Sequence, residues 1–237
     1  IALLSRIALA LVVLAIVKER QELQQRIFAL TDALTGLPNR RALFEAVDSL
    51  AAHGKYLKGD SVSVMVLDLD HFKKINDTYG HRLGDRVLQL FAGTLADELD
   101  TGSILGRLGG EEFAAILPGA HLSAAAAKAE CVRAAFAEVA AIIDGLPVGG
   151  TVSIGVASND DIDCDIGALF HRADGALYAA KQTGRNRVQV IGPKEPMLFE
   201  ETALEAHVVP PRWFGERSVP APKERATRRY RGSADAA

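Results

Sequence analysis

Two short apolar runs, Ile104-Leu105-Gly106 and Ala114-Ala115-Ile116-Leu117, flank the stretch Arg107-Leu108-Gly109-Gly110-Glu111-Glu112-Phe113. Apolar segments joined across a Gly-Gly pair predict a β-hairpin, because both turn positions need positive φ. The same glycines let a ligand approach the backbone where a side chain would block it. The turn delivers two adjacent carboxylates, Glu111 and Glu112. Neighbours on a strand point to opposite faces, so these two are expected to do different jobs. Alone, the stretch reads equally well as an ordinary charged hairpin tip, and the rest of the chain breaks the tie.

A chain of 237 residues holds one full domain with appendages. With 49% hydrophobic and 24% charged residues it is globular in composition. A net charge of −3 gives no global case for nucleic-acid binding. Cys131 and Cys164 follow no metal-ligand spacing and are too few for a disulfide framework, so they suit a reducing compartment as packing residues. The chain opens on Ile rather than Met, and the expectation is a piece of a longer protein whose sensory part lies upstream.

Ile7 to Val17 is an unbroken apolar run of 11 residues, too short to span a bilayer alone. With Arg6 snorkelling, residues 1–17 are read as the end of a transmembrane helix; a buried core helix is the plainer alternative. Lys18, Arg20 and Arg26 follow in the positive-inside pattern, which puts the remainder in the cytoplasm. Residues 18–34 carry Leu23, Ile27, Leu30 and Leu34 at spacings of 4, 3 and 4, an a/d seam of about two heptads. A parallel two-stranded coil there sets two chains side by side, with an intramolecular docking helix as the alternative. Gly36 and Pro38 end the helix, and after an N-cap a new one runs through Arg41 to Val47.

After a loop around 54–60, Val62 to Leu67 reads as a buried strand ending in Asp68-Leu69-Asp70. Buried carboxylates are costly unless paired or holding a metal, and hard oxygen ligands suit Mg²⁺. Asp68 is read as such a ligand, and Asp70 as the cap of the next helix. A short helix follows and closes at Gly80. Gly84-Asp85 then opens an amphipathic helix, Arg86 to Leu99, with Val87, Leu88, Leu90, Phe91 and Leu95 inward. Beyond the hairpin come a helix over Leu122 to Ile143 and a strand over Gly149 to Ala157. A last helix, Ile166 to Thr183, is expected to bury Leu169, Phe170, Ala173, Leu177 and Tyr178. It ends at Gly184, and a closing strand begins at Arg185. Lys181 and Arg185 flank that helix end, where they either complement its dipole or bind phosphate. Residues 191–237, punctuated by Pro193, Pro196, Pro210, Pro211, Pro220 and Pro222, read as a mostly disordered tail.

Six collinear stretches together resemble a GGDEF domain, the catalytic module of diguanylate cyclases. They are Asp32 to Arg41, Asp68 to Asp77, Gly80 to Asp85, Arg107 to Phe113, Val152 to Val156, and Ala173 to Lys181 running into Gly184-Arg185-Asn186. The resemblance covers about residues 32–190 and implies an α/β fold, a central mostly antiparallel sheet flanked by helices, related to the nucleotidyl-cyclase and polymerase palm. It implies condensation of two GTP into cyclic di-GMP with release of two pyrophosphates, by a homodimer holding one GTP per subunit; with the apolar run at 1–17, this points to a bacterial inner membrane. It assigns metal binding to Asp68, the backbone carbonyl of Leu69, and Glu111, with two Mg²⁺ per site and Mn²⁺ as a substitute. Asp68, Glu111 and, less firmly tied, Glu112 are its catalytic residues. Asn76 and Asp85 would read guanine, since an acceptor-only carboxylate matches the donors that adenine lacks. Lys73, Lys181 and Arg185 would hold the triphosphate with amides near Phe72, and Gly109 and Gly110 would leave room for the nucleotide. One departure stands out. The Arg-x-x-Asp product-inhibition site of many members is here Asp100 and Ser103, so feedback through it is expected to be absent, with Arg107 available to a secondary one. The alternatives are a non-catalytic module that binds GTP or cyclic di-GMP, a scaffold built on the 18–34 helix, and a cyclase making an adenine-containing product.

Overall fold

The computed structural model describes residues 2–52, 61–159 and 166–192. The expected loop at 54–60, Cys164 and the tail beyond residue 192 lie outside the described residues.

Five strands form one sheet in the order β2-β3-β1-β4-β5. The middle strand β1 (Val62–Leu69) is buried along its whole length, as its near-continuous apolar sequence requires. It pairs antiparallel with β3 (Glu112–Pro118) and with β4 (Val152–Ser158). The strand β2 (Ile104–Gly109) lies antiparallel on β3, and β5 (Val188–Ile191) runs parallel to β4. The sheet is therefore mostly antiparallel and flanked by helices on both faces.

Alternation along β1 sorts its side chains into two cores. Met65, Leu67 and Leu69 face α3 (Phe72–Tyr79), α4 (His81–Glu98) and α5 (Leu122–Val139). There Phe91 packs edge-on against Phe113 and Phe136, with ring centres 4.8 and 4.9 Å apart. Val62, Val64 and Val66 face α6 (Ile166–Gln182) and Leu43 of α2 (Arg40–Ala52). At Gly155 the helix α6 rests directly on the sheet, since a Cβ there would lie 2.0 Å from the Ala173 carbonyl oxygen. That close approach carries the end of α6 over the end of β1.

Residues Ala2–Leu30 form one continuous helix, α1. Among the described residues no helix is long and apolar enough to cross a membrane. The helix stops at Leu30, so Leu34, expected as the fourth seam residue, falls outside it and packs against the α3–α5 core instead. What ends α1 is Asn39, whose backbone N–H and side-chain amide reach the carbonyls of Leu30 and Ala29, both at 2.9 Å. The same Asn39 caps α2, accepting the Ala42 N–H at 3.1 Å.

Six local expectations are corrected; two of them are that Cys131, expected to pack, is exposed, and that the closing strand begins at Val188 rather than Arg185. The helix α4 starts at His81, straight after Gly80, so Gly84 and Asp85 lie in its first turns rather than opening it. The helix α5 stops at Val139, because Asp144-Gly145 makes a tight two-residue turn that pairs Ile143 with Leu146. Gly149 and Gly150 bond back to Ala141 and Ala140, which delays β4 to Val152. Tyr178 is 52% exposed, and the small Ala176 and Ala180 are buried in α6 instead.

Candidate active site

The register of β1 builds the site. Asp68 lies opposite Glu112 on one side and Ser153 on the other. Directly paired residues share a face, so Asp68 and Glu112 both point to the α6 side. Glu111 is not on a strand. Gly109 pairs with Glu112, which makes Gly110 and Glu111 the turn residues rather than the two glycines. Gly110 takes φ 55°, and a Cβ at either Gly109 or Gly110 would meet nothing within 4 Å. The expected opposition of neighbouring carboxylates therefore does not apply: Glu111 sits in the turn, and its charge helps raise both Asp68 and Glu112.

Asp68 is 7% exposed, and Lys181 at the end of α6 places its ammonium 2.8 Å from Oδ2. Burial pushes the Asp68 carboxyl up, against the pull of Lys181, and the charges of Glu111 and Asp70 add to the rise. Glu112 is also raised, first by burial and then by Asp68, with Lys181 opposing. Asp174, two turns before Lys181 on α6, is raised by burial against His171 and Lys181, and its charge acts on Glu112. Sequence reasoning gave Asp174 no role; its signal was the seven-residue spacing to Lys181, which puts both on one helix face.

The main chain beside these carboxylates is held on both sides. Leu69 donates its N–H to the Glu111 carbonyl at 3.3 Å, and Asp70 donates its own to Thr151 O at 2.8 Å. Asp70 is not a helix cap. The residue before α3 is His71, in a left-handed conformation with no side-chain cap. The Asp70 carboxylate, 3% exposed, instead accepts Ser153 Oγ, Thr151 Oγ1 and the Asn186 N–H at 2.7, 2.8 and 3.0 Å.

Asn76 on α3 lies against Gly84, the neighbour of Asp85 on α4, at the corner between the two helices. A Cβ on Gly84 would fall 1.9 Å from Asn76 Oδ1, so the carboxamide lies over the bare backbone of α4 beside Asp85. Phe72 is buried at the start of α3, Lys73 next to it is exposed, and Arg185 stands just past α6 at φ 61°. Arg107 is committed internally. Its guanidinium pairs with Asp32 at 2.9 Å and donates to the Gly110 carbonyl at 2.7 and 3.0 Å. Asp100, in place of an arginine, forms an exposed ion pair with Lys128 at 2.8 Å.

The divalent ion implied by the sequence resemblance finds a fitting donor set. Among the described residues no group of three or more His, Cys, Asp or Glu side chains is arranged to hold a metal. Mg²⁺ does not need one, because it takes one or two carboxylates with substrate phosphates and water. Asp68 already attracts a cation, the ammonium of Lys181, and its buried charge is undercompensated by it.

Comparison with known proteins agrees with this geometry. A family model described as "Diguanylate cyclase, GGDEF domain" matches residues 29–187. Diguanylate cyclase DgcP of Pseudomonas aeruginosa is 43% identical over 166 residues, covering 70% of this chain and 24% of that protein. Diguanylate cyclase DgcM of Escherichia coli K12 is 43% identical over 171 residues, 72% of this chain and 40% of its own. The chain thus spans less than half the length of these curated relatives. Among solved structures, the coiled coil and GGDEF domain of DgcB from Caulobacter crescentus, in complex with c-di-GMP, superposes with a TM-score of 0.72 at 33% identity. That match covers 81% of this chain and 100% of the other. With its acidic strand end, glycine hairpin and basic helix end in the family's order, the chain belongs to the GGDEF domain family.

Proposed function

We propose that this chain is an active diguanylate cyclase that condenses two GTP into cyclic di-GMP as a homodimer. The observation that carries the reading is the convergence of Asp68, Glu111 and Glu112 on one strand end, with Lys181 on Asp68. In the reaction each ribose 3′-oxygen bonds to the α-phosphorus of the other nucleotide. The α–β bridging bond breaks, pyrophosphate leaves, and the hydroxyl proton passes to a carboxylate and on to solvent. One domain has one such centre, so two copies must face each other to supply both hydroxyls.

Asp68, Glu111 and the Leu69 carbonyl would hold Mg²⁺, which when bound supplies positive charge for the attacking and leaving oxygens. Glu112, whose proton affinity is raised by burial and by Asp68, is suited to take the 3′-hydroxyl proton alongside Glu111. Asn76 and Asp85 orient guanine at the α3–α4 corner. Lys73, Lys181, Arg185 and the uncapped first amides of α3 at Phe72 grip the triphosphate. Gly109 and Gly110 keep the hairpin open to the nucleotide. Feedback through the primary product-inhibition site is absent, because Asp100 stands where an arginine would grip cyclic di-GMP. Incubation with GTP and Mg²⁺ is expected to yield cyclic di-GMP with two pyrophosphates per product, at a rate that added cyclic di-GMP does not lower. Hydrolysis to GDP alone, or slowing by micromolar product, contradicts the reading.

We also propose that residues 1–17 are the end of a transmembrane helix that holds the protein at a bacterial inner membrane, with the catalytic domain in the cytoplasm. Leu11, Val12, Val13, Leu14, Ile16 and Val17 are between 46% and 64% exposed around the whole helix, just before Lys18 and Arg20. Apolar side chains exposed on every side of a helix call for lipid. The expected result is retention in carbonate-washed membranes and release by detergent; full release by carbonate contradicts it.

A further inference from the structure

We propose that Asp70 is the positioning residue for the cations that grip the triphosphate, acting through the turn that follows α6. This rests on the assignment of Lys181 and Arg185 to the triphosphate. The turn is Gly184-Arg185-Asn186-Arg187, and it needs an anchor. Arg185 and Asn186 are successive non-glycine residues in the left-handed region, at φ 61° and 46°. Such a conformation persists only where its surroundings over-determine it.

Three contacts do so. From inside, the deeply buried Asp70 carboxylate accepts the Asn186 N–H at 3.0 Å. From the helix, Arg185 N–H closes on the Ala180 carbonyl at 3.0 Å, a six-residue closing bond of the Schellman kind. From outside, Arg133 of α5 donates to Asn186 Oδ1 at 2.8 Å, while Glu130 holds the same guanidinium through Nε at 2.9 and 3.0 Å. Ser153 and Thr151 hold Asp70 itself against the start of β4. The Asp70 carboxylate thus accepts from three protein donors, two hydroxyls and one main-chain N–H. Its work is to fix Asn186, and with it the direction in which Arg185 leaves the turn and the place where α6 ends with Lys181.

The test separates a phosphate-positioning role from general support of the fold. In the full chain, affinities are measured for 3′-deoxy-GTP, which binds but has no hydroxyl to react, and for 3′-deoxy-GMP, which lacks the β- and γ-phosphates. Asp70→Asn turns one accepting oxygen into a donor facing donors. It is expected to lower 3′-deoxy-GTP affinity about tenfold, the scale of one charge-assisted contact, and to leave 3′-deoxy-GMP within about twofold. Ser153→Ala, which removes one support of Asp70, should shift the ratio the same way by less. If Asp70→Asn does not fold, Ser153→Ala and Thr151→Val decide by that ratio. Equal loss for both nucleotides, or no loss for either, overturns the proposal. Arg185→Ala is the control for the reading beneath it. A ratio lowered by Arg185→Ala but not by the Asp70, Ser153 and Thr151 variants sinks the positioning role alone, while a ratio unmoved by Arg185→Ala sinks the phosphate assignment.

Discussion

At the scale of single residues, Gly84 shows how an unassuming position shapes the corner proposed to read guanine. Its missing side chain is the space in which the Asn76 carboxamide sits, with Oδ1 only 1.9 Å from where a Cβ would be. The clashing atom is the free end of a side chain, so the fold can absorb an alanine by swinging Asn76 away. Gly84→Ala is therefore expected to weaken GTP binding about tenfold, the scale of one lost hydrogen-bonded contact, with little change in melting temperature. Asp85→Ala, which removes the acceptor from the same corner, should lower the preference for GTP over ATP in competition binding. An unaltered preference would remove Asp85 from guanine reading. Sequence made Asn76 and Asp85 legible through their motif, but not Gly84, because the close approach belongs to two helices meeting at a corner. Asp70 was misread for a related reason. Its position invites a helix cap, yet its donors lie 81, 83 and 116 residues further along, where no local pattern reaches.

At the scale of elements, the loop after α1 and the β2–β3 hairpin are one mechanical unit. Asp32 accepts Thr35 N–H at 2.9 Å, Thr35 Oγ1 at 2.7 Å and Arg107 Nη1 at 2.9 Å. Arg107 in turn clamps the Gly110 carbonyl in the turn that carries Glu111. Burial alone would raise the Asp32 carboxyl, but these bonds outweigh it and hold it below its usual 3.8. A carboxylate depressed in the folded state stabilises above its ordinary range, and that stability is lost as pH falls through the lowered value. Asp32→Asn should accordingly lower the urea midpoint at pH 6, and the gap to the parent should close as pH drops below 3.8. A gap that is constant with pH would mean the carboxylate's charge is not what holds the loop. The strands and helices themselves were largely readable, since buried strands and amphipathic helices announce their periods. Their ends were not. Asn39 closes α1 through two bonds from beyond the intervening loop, and the Asp144-Gly145 turn cuts α5 short of the apolar run that suggested a longer helix.

At the scale of the molecule, the sheet divides the labour. One face carries α3, α4 and α5, with the corner proposed for guanine, and the other, with α6, brings Lys181 and Asp174 to the carboxylates. The hairpin turn lies at the end of the sheet, beside the end of β1 that carries Asp68. The sequence motifs named most members of this site, but the grouping of Glu112 with Asp68 comes from register, which a motif does not state. The central claim is that this acidic centre turns GTP over. It is tested most directly by pyrophosphate release from GTP and Mg²⁺ by the full chain beside Glu111→Gln, with GTP affinity measured on both. The account predicts release by the parent, a loss of about a hundredfold or more in the variant, and GTP affinity kept within a few-fold. Equal release by both, or none from a parent that binds GTP as a dimer, would contradict it.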